Sequence, residues 1–408
     1  MSHGRSHALP LPSTRLRACP HAPQAGRAVA PRPPPLVRLG DVCEIVSGST
    51  PKTSVESYWG GSFPWITPAE LNDKTVVVGD TARHLSEEGV ASAALKPFPA
   101  GTVLLSSRAP IGKVAIAGCD MYCNQGFKNL ICSDAIHNFY LYYWLKSHTS
   151  FLNSLGRGAT FKEISKAIVA QIQIPLPPLP EQKRIAAILD KICEMKRNAE
   201  ARLQKLDLLV KARFVEMFGD ARLNDKAWTI LNFSNICRVR QGLQIPISDR
   251  LAIPEDNCFE YITIAYLHGT KKREYIRNPK PSVVCHKDDV LMTRTGNTGL
   301  VVSNVEGVFH NNFFLIDFDK SRFERLFIIH YLNSTFIQGM IQKYAGISTI
   351  PDLNHGDFYR MPIFEPPLAL QRQFAAFVEK VEGLKATAKK ELEQVDLLYR
   401  AKLQEFFG

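Results

Sequence analysis

The sequence has no run of about 18 apolar residues, no complete catalytic motif and no paired pattern of cysteines. The first absence excludes a membrane-spanning helix, which needs roughly 20 apolar residues. The nine cysteines are odd in number and irregularly spaced, which favours reduced thiols in a cytoplasmic protein over disulfide-linked domains. With 408 residues, 45% of them hydrophobic, the chain can form two or three domains with proper cores.

Motifs for common enzyme chemistry are also missing. The chain has no glycine-rich GxGxxG, no Asn/Asp-Pro-Pro-Tyr of an amino-methyltransferase and no GxxxxGK[ST] loop. Gly112 and Lys113 are followed by Val114 and lack the upstream glycine, while Pro351-Asp352 has no well-spaced Glu-x-Lys of a nuclease behind it. These absences favour a protein that reads a partner over one that catalyses a reaction.

Four residues could suggest a metal site, namely Cys119, Cys123, Cys132 and His137. Their spacing fits no common zinc pattern. Free cysteine is among the most frequently buried residue types, so core thiols on neighbouring strands are the favoured interpretation. We predict no metal.

Acidic residues are outnumbered by basic ones, which gives a formal charge of +11 and a pI of about 9.2. This balance favours a polyanionic partner such as nucleic acid. Residues 1–35 contain five Arg, eight Pro and three His but no Asp, Glu or Lys, so we expect a disordered basic tail. The tail is either a phosphate-binding arm or a segment without function, such as one produced by a start codon assigned too far upstream. Without its five Arg the charge is 11 − 5 = +6.

A 43-residue stretch at 177–219 returns at 366–408, with identical residues at 17 positions and no gap. Prolines precede each copy, Pro180 suits a first helical turn, and Gly219 suits a left-handed helix cap. Apolar or small residues recur every three or four positions, which predicts a long helix from Glu181 to Phe218 and a matching one in the second copy. In the first copy they are 185, 188, 192, 195, 199, 203, 206, 210, 214 and 217.

The apolar stripes predict that the two helices pack on each other as a coiled coil. The first helix runs into a second globular segment and the second helix starts from that segment, so the pair must be antiparallel. The fold class is therefore mixed α/β (α+β), with two globular domains separated by two long helices and related by a pseudo-twofold repeat. The predicted boundaries are 1–35 for the tail, 36–176 and 220–360 for the domains, and 177–219 and 361–408 for the helices.

Both globular segments follow one plan. VCEIVSG (42–48) matches ICRVRQG (236–242), WITPAEL (65–71) matches YITIAYL (261–267), LSSRAPIGKV (105–114) matches LMTRTGNTGLV (291–301), and NQGF (124–127) matches NNFF (311–314). Asn138–Asn153 reads as one aromatic-rich helix. The predicted strands of the first segment are Val42–Val46, Val76–Val78, Thr102–Ser106, Lys113–Ala117 and Asn129–Ile131.

The run IPLPPLPEQKRIAAILDK (174–191), followed by a long helix and repeated after a second variable segment, resembles the specificity subunit of type I restriction-modification systems. The resemblance covers about residues 36–408; the second copy departs from it in reading LALQRQF for LPEQKRI. It implies a non-catalytic subunit that reads a bipartite DNA target and binds methyltransferase and restriction subunits. S-adenosylmethionine and ATP would belong to those partners, so no cofactor is expected here. A self-contained restriction or methylation enzyme and a coiled-coil protein scaffold remain the alternatives.

Arg108 and Arg294 occupy matching places in the alignment beside Gly112 and Gly299, which predicts a framework role, a phosphate contact or packing within a turn. Polar and basic residues where the two copies differ are better candidates for base contacts, because Asn and Gln suit adenine, and Arg and Lys suit guanine or phosphate. In the first segment they are Ser106, Lys113, Asn124, Gln125, Arg157, Lys162 and Lys166. In the second they are Thr293, Thr295, Asn297, Asn311 and Asn312, with the basic run Lys271, Lys272, Arg273, Arg277 and Lys280.

Overall fold

The computed structural model describes residues 33–158, 162–270, 272–346 and 351–408. The predicted tail lies almost wholly outside the described residues. The chain forms two compact units, one reaching residue 186 and including Phe407, the other comprising 187–406 and Gly408. None of the helices in the described parts is long and apolar enough to cross a membrane.

The first unit is built on a five-stranded sheet of order β2-β9-β6-β7-β4, with a three-stranded sheet β5-β3-β8 and a two-stranded ribbon β1-β10. Buried residues of β6 and β7 form part of its core. The strands are β1 (Leu36–Arg38), β2 (Cys43–Val46), β3 (Trp59–Ile66), β4 (Val77–Val78), β5 (His84–Leu85), β6 (Val103–Leu105), β7 (Val114–Ala117), β8 (Tyr122–Cys123), β9 (Asn129–Cys132) and β10 (Gln173–Pro175). The five strand predictions are confirmed, with ends differing by one residue.

The predicted helix at 138–153 is two helices, which meet at His148. The His148 ring stacks on Trp144 at 4.2 Å, and its Nδ1 lies 2.8 Å from the Trp144 carbonyl oxygen. The side chain thus occupies the carbonyl end of the first helix and ends it. The helices of this unit are α1 (Leu39–Val42), α2 (Glu87–Ser92), α3 (Asn138–Ser147), α4 (Thr149–Leu155), α5 (Lys166–Gln171) and the first turns of α6 (Leu179–Phe218).

The second unit repeats this plan with sheets of order β12-β19-β16-β17 and β14-β13-β18-β15 and a ribbon β11-β20. Its strands are β11 (Thr229–Asn232), β12 (Cys237–Gln241), β13 (Cys258–Ile262), β14 (Tyr275–Arg277), β15 (Val284–Cys285), β16 (Leu291–Thr293), β17 (Val301–Val302), β18 (Gly307–Phe309), β19 (Phe313–Phe318) and β20 (Pro362–Glu365). Its remaining helices are α7 (Ile264–Leu267), α8 (Arg325–Leu332), α9 (Thr335–Ala345), α10 (His355–Tyr359) and α11 (Leu368–Phe407).

Helices α6 and α11 each span 40 residues, or ~60 Å at ~1.5 Å per residue. Helix α6 begins two residues before the predicted Glu181 and ends at the predicted Phe218. Pro180 lies in the first turn as predicted, and Gly219 follows the last turn with φ of 82°. Within the second unit ion pairs join the helices, and the residue numbers of the two partners run in opposite directions, which confirms the antiparallel pairing. The pairs are Lys196–Asp396, Arg202–Glu391 and Asp207–Lys385.

The predicted apolar stripe is buried or half-buried along both helices except at one matching place. Met195 is 44% exposed and Leu384, 189 residues later, is 57% exposed. Both flank the point where the spacing shifts to two successive steps of four. Two steps of four turn a helical position about 80° away from its starting direction, so these side chains leave the seam.

Candidate nucleic-acid interface

A tight hairpin joins β6 to β7 in the first unit, and the Ser106 side chain organises it. The Ser106 hydroxyl donates to the Pro110 carbonyl at 2.8 Å and accepts from the Lys113 amide at 2.9 Å. Ser106 is fully buried. The side chain therefore holds the turn and is not available to a base edge.

The hairpin between β16 and β17 in the second unit is held in the same way. Here the Thr293 hydroxyl donates to the Asn297 carbonyl and accepts from the Leu300 amide at 2.9 Å. Gly112 and Gly299 take φ values of 90° and 92°, which only glycine adopts readily. Thr293 is also fully buried. The prediction that Thr293 contacts a base is therefore corrected, as it is for Ser106.

The predicted match of Arg108 with Arg294 is wrong by one residue. Arg108 forms a backbone bridge with Glu163, and Thr295 forms the equivalent bridge with Asp352. The sequence alignment needed a one-residue gap in this hairpin. The structure needs none, because the buried hydroxyl accepts a hydrogen bond from the amide seven residues later in both units.

In the first unit, Ser107 occupies the position equivalent to Arg294 of the second unit. The Ser107 carbonyl accepts from the Ile164 amide, and the Arg294 carbonyl accepts from the Leu353 amide, both at 2.9 Å. The two arginines therefore occupy neighbouring, not equivalent, positions of one hairpin.

Each hairpin is tied to an acidic residue of a distant loop. In the first unit the Glu163 carboxylate accepts from Arg108 Nε at 2.9 Å and from Lys128 Nζ at 3.1 Å. Lys128 is buried, whereas the Arg108 side chain is 45% exposed. Burial raises the pKa of Glu163, but the hydrogen bonds from Lys128 and Arg108 outweigh this effect and hold the pKa below its usual value. Glu163 thus has two cations, one internal and one at the surface.

In the second unit one arginine serves the acid. Arg294 donates to Asp352 through Nε at 3.0 Å and Nη2 at 2.6 Å, and its side chain is only 18% exposed. These hydrogen bonds are the largest cause of the lowered pKa of Asp352. Ser106 pairs with Phe127 and Thr293 pairs with Phe313, so the next residues, Lys128 and Phe314, are equivalent. The inner cation is thus Lys128, just before β9, in the first unit and Arg294, within the hairpin, in the second.

The loop that carries Glu163 brings basic side chains beside the first hairpin. Arg157 and Glu163 exchange two backbone hydrogen bonds of 3.0 Å. Arg157, Lys162 and Lys166 are exposed, and none forms a side-chain ion pair among the described residues. These free cations, with Arg108, form the basic edge of the first unit.

The other first-unit candidates are less free. Lys113 donates through Nζ to the carbonyls of Pro68 at 3.1 Å and Leu71 at 2.7 Å, which removes most of its capacity to donate to DNA. The Asn124 side chain accepts from the Gly126 amide at 2.9 Å. Gln125 is exposed and accepts from the Thr50 hydroxyl.

The predicted match of 124–127 with 311–314, in the turns that follow β8 and β18, is also wrong by one residue. The amides of Asn124 and His310 donate to Ile66 and Ile262, so Asn124 matches His310 and Gln125 matches Asn311. Asn312 is half-buried, and its carbonyl accepts from the Arg294 amide at 2.7 Å.

Exposure differs among the remaining second-unit candidates. Asn297 is exposed at the hairpin tip, and the Thr295 hydroxyl donates to Asp352. The side-chain oxygen of Asn311 is buried.

The predicted basic run is exposed. Arg273 pairs with Glu260 and Arg277 with Glu255, whereas Lys272 and Lys280 form no ion pair within the described ranges. Lys271 lies outside the described residues.

Sequence reasoning missed Lys128 and Glu163 and assigned Asp352 no role here. Hairpin and acid are 55 and 58 residues apart, and no local pattern joins them. The core-thiol interpretation holds for Cys123, which is buried and whose pKa is raised to about 12 by burial, whereas Cys119 and Cys132 are half-buried. No cluster that could hold a metal ion occurs in the described part of the chain.

The comparisons with known proteins agree with this duplicated architecture. A family model described as "Type I restriction modification DNA specificity domain" matches residues 35–208 and again 225–396. The type I restriction enzyme MjaIX specificity subunit of Methanocaldococcus jannaschii is 37% identical over 227 residues, covering 51% of this chain and 52% of that protein. The MjaVIII specificity subunit of the same organism is 21% identical over 403 residues, covering 88% and 89%. The aligned region thus spans about half of the first relative and nearly all of the second.

Two solved structures share the fold. The type I restriction-modification S subunit from M. genitalium has a TM-score of 0.58 and 16% identity, covering 92% of this chain and 96% of that one. A chain from a study of complex assembly and conformational transition of the type I R-M system has a TM-score of 0.59 and 20% identity, covering 93% and 98%. The expected fold class, two mixed α/β domains with two long helices, is confirmed.

Proposed function

Because the chain belongs to the family of type I restriction-modification DNA specificity domains, we propose that it reads a bipartite target in double-stranded DNA, one half-site with each domain. Residues 36–176 and 220–360 are the two recognition domains, and 177–219 and 361–408 are the connecting helices. The chain performs this role in the cytoplasm as the non-catalytic subunit of a larger complex. The repetition of domain and helix supports two independent readers over one composite site.

The hairpin and the neighbouring basic loop of each domain form the proposed DNA-binding edge. Exposed cations contact phosphate and set the position of the domain, while amide side chains contact base edges. In the first domain the edge comprises Arg108, Gln125, Arg157, Lys162 and Lys166. In the second it comprises Thr295, Asn297, Asn311, Asn312, Lys272, Arg273, Arg277 and Lys280.

The long helices are the proposed docking surface for two methyltransferase subunits, with restriction subunits joining the same complex. Leucines lie exposed at matching positions of the two helices: Leu208 and Leu397 are 63% and 65% exposed, and Leu209 and Leu398 are 47% and 40% exposed. Paired exposed apolar residues on both helices suit a partner that binds twice. The sites for S-adenosylmethionine and ATP then reside in the partner subunits.

The observation that carries the proposal is the duplication of hairpin, acid and helix within one chain. Replacing residues 220–360 with the matching segment of a relative should change one half of the methylated motif and leave the other half intact, because the half-sites are read separately. The methylome of cells carrying the hybrid chain and a methyltransferase partner measures this. A simultaneous change of both halves would contradict the two-reader model.

DNA binding by the isolated chain can be tested separately. Each phosphate neutralised should contribute about −0.9 to the slope of log affinity against log salt for duplex DNA. A scaffold that binds only proteins would show no such slope and no retention on heparin.

A further inference from the structure

A buried glutamine connects each recognition domain to the helix that follows it. Gln182 lies in the first turn of α6 and is fully buried. Its Nε2 donates to the carbonyls of Ala135 at 3.0 Å and Pro177 at 2.8 Å, and its Oε1 accepts from the His137 amide at 2.8 Å. One side chain thus joins the helix, the proline turn before it and the loop that enters α3.

Gln371 makes the same three bonds in the second unit. Its Nε2 donates to the carbonyls of Arg322 at 3.0 Å and Pro366 at 2.8 Å, and its Oε1 accepts from the Glu324 amide at 2.8 Å. Gln371 is also fully buried. The three partners occupy the same places in the loop that enters α8 and in the proline turn.

Glutamine is rarely buried, because each of its polar atoms then needs a protein partner. Here the amide satisfies both donors and one acceptor site, all on backbone groups. Helices α3 and α8 supply buried aromatic and aliphatic residues to their domains, from Tyr140 to Leu145 and at Phe327, Ile328, Tyr331 and Leu332. The glutamine therefore connects the long helix to the loop that enters a helix of the buried domain core.

A two-stranded ribbon, β1-β10 or β11-β20, also leads into the proline turn at each junction, and in the second unit Phe374, Val378 and Val381 of α11 pack into the domain core. An isolated pair of strands can twist. A ribbon that can twist sets the direction of the helix less strictly than three bonds from one amide, which tie the first turn of the helix to the loop that enters α3 or α8.

We propose that Gln182 and Gln371 are positioning residues that set the angle between each recognition domain and its helix, and thereby determine how strictly the gap between the two half-sites is read. The inference rests on the proposed two-reader function. Neither glutamine side chain is available to contact DNA, since both are buried. Their effect on target choice is purely geometric.

The test uses the full chain assembled with its methyltransferase subunits and measures methylation of three kinds of duplex. These carry the native target, the same half-sites with the gap changed by one base pair, and the native gap with one base changed in a half-site. The variants are Gln182→Met and Gln371→Met, which keep the side-chain length but remove the amide. Gln373→Met is the matched control for Gln371→Met, because Gln373 lies two residues after Gln371 in α11 and is exposed.

We expect each buried variant to raise methylation of the altered-gap target relative to the native target about fivefold to tenfold, since misplacement by about 1 Å changes rates by up to ~100-fold. Discrimination against the changed base should stay as in the unsubstituted chain. The control should behave like that chain on all three duplexes. Gln371→Asn, which retains an amide that is one methylene too short, provides a milder variant and should shift the same ratio in the same direction if the Met variant fails to fold.

An equal loss of activity on all three duplexes would assign the glutamines to stability alone and overturn the inference. A loss of base discrimination equal to the loss of gap discrimination would overturn it as well. If the unsubstituted complex methylates no bipartite target, the proposed function fails first and the inference fails with it.

Discussion

The two recognition domains build the same hairpin but neutralise the acid beside it differently. In the first, Glu163 pairs with the buried Lys128 and the exposed Arg108. In the second, Arg294 is the one basic partner of Asp352 among the described residues, in a bidentate pair. Arg108 can turn toward a phosphate and leave Glu163 still neutralised. If Arg294 turned toward a phosphate, the Asp352 carboxylate would lose both of its hydrogen bonds from the guanidinium and its negative charge would be uncompensated. We therefore propose different roles for two arginines that look alike in sequence, DNA binding for Arg108 and structure for Arg294.

The largest expected effect is on stability, from Arg294→Ala. The substitution removes both hydrogen bonds to Asp352, and we expect a loss of about 1–2 kcal/mol in the free energy of unfolding, less than for a fully buried pair because the acid is partly exposed. Thermal and denaturant unfolding of the purified chain measure it. Arg108→Ala is the matched control and should change stability by no more than about 0.5 kcal/mol. Equal losses for the two variants would remove the distinction.

Arg108→Ala should instead weaken DNA binding. Loss of one phosphate contact should reduce affinity about fivefold, or ~1 kcal/mol, and reduce the salt slope by about 0.9. Titration of duplex DNA at several salt concentrations provides both values. Substituting a surface lysine outside the edge, Lys96→Ala, serves as the control for net charge. An unchanged slope would mean that Arg108 stays on Glu163 in the complex.

Lys128→Met should have a smaller, indirect effect on binding. Arg108 then becomes the sole cation on Glu163, so moving it to a phosphate costs more and affinity should fall about threefold, or ~0.6 kcal/mol. Combining this change with Arg108→Ala should add little further loss, because both act through one guanidinium. Additive losses would show that Lys128 affects DNA binding by another route.

The smallest effect concerns pH. The pKa of Asp352 is lowered in the folded chain, so its contribution to stability is present above its usual pKa of 3.8 and is lost as pH falls through the folded value. Because the carboxyl is 43% exposed, solvent screening limits this contribution to less than about 1 kcal/mol. The stability difference between the unsubstituted chain and Asp352→Asn should therefore shrink between pH 6 and pH 3. A difference that is constant over this range would assign no pH-dependent role to the carboxylate.

Sequence reasoning predicted the long helices well because a repeat of apolar residues every three or four positions is a local signal. The duplication added the partner of each helix, and the chain path added the direction. Only the exposure of Met195 and Leu384 departed from the predicted stripe. The strands were also predictable, since their β-branched runs are bounded by turn residues.

The hairpin register was not predictable in the same way. Placing Arg294 opposite Arg108 looked favourable, yet the backbone bonds made by Ser106 and Thr293 set a different register. The polar side chains of Ser106 and Thr293 suggested base contacts. A sequence does not distinguish a hydroxyl that forms hydrogen bonds within a turn from one that contacts a base. Partners 55 and 58 residues away decide which arginine is free, and a single sequence contains no signal for such distant contacts.

The different place of the inner cation, Lys128 in the first unit and Arg294 in the second, would restrict productive recombination between related genes. A crossover between residues 107 and 128 would in one direction combine Lys128 with an arginine at position 107, which places both inner cations beside one acid. In the other direction it would combine Ser107 with a phenylalanine at position 128, which leaves the acid without an inner cation. A crossover within the repeated helices keeps each hairpin with its own strand and acid. The 17 identical positions shared by those helices also make them good substrates for homologous exchange. We therefore expect whole domains to be exchanged as single blocks, because each then keeps its acid with the cation that neutralises it.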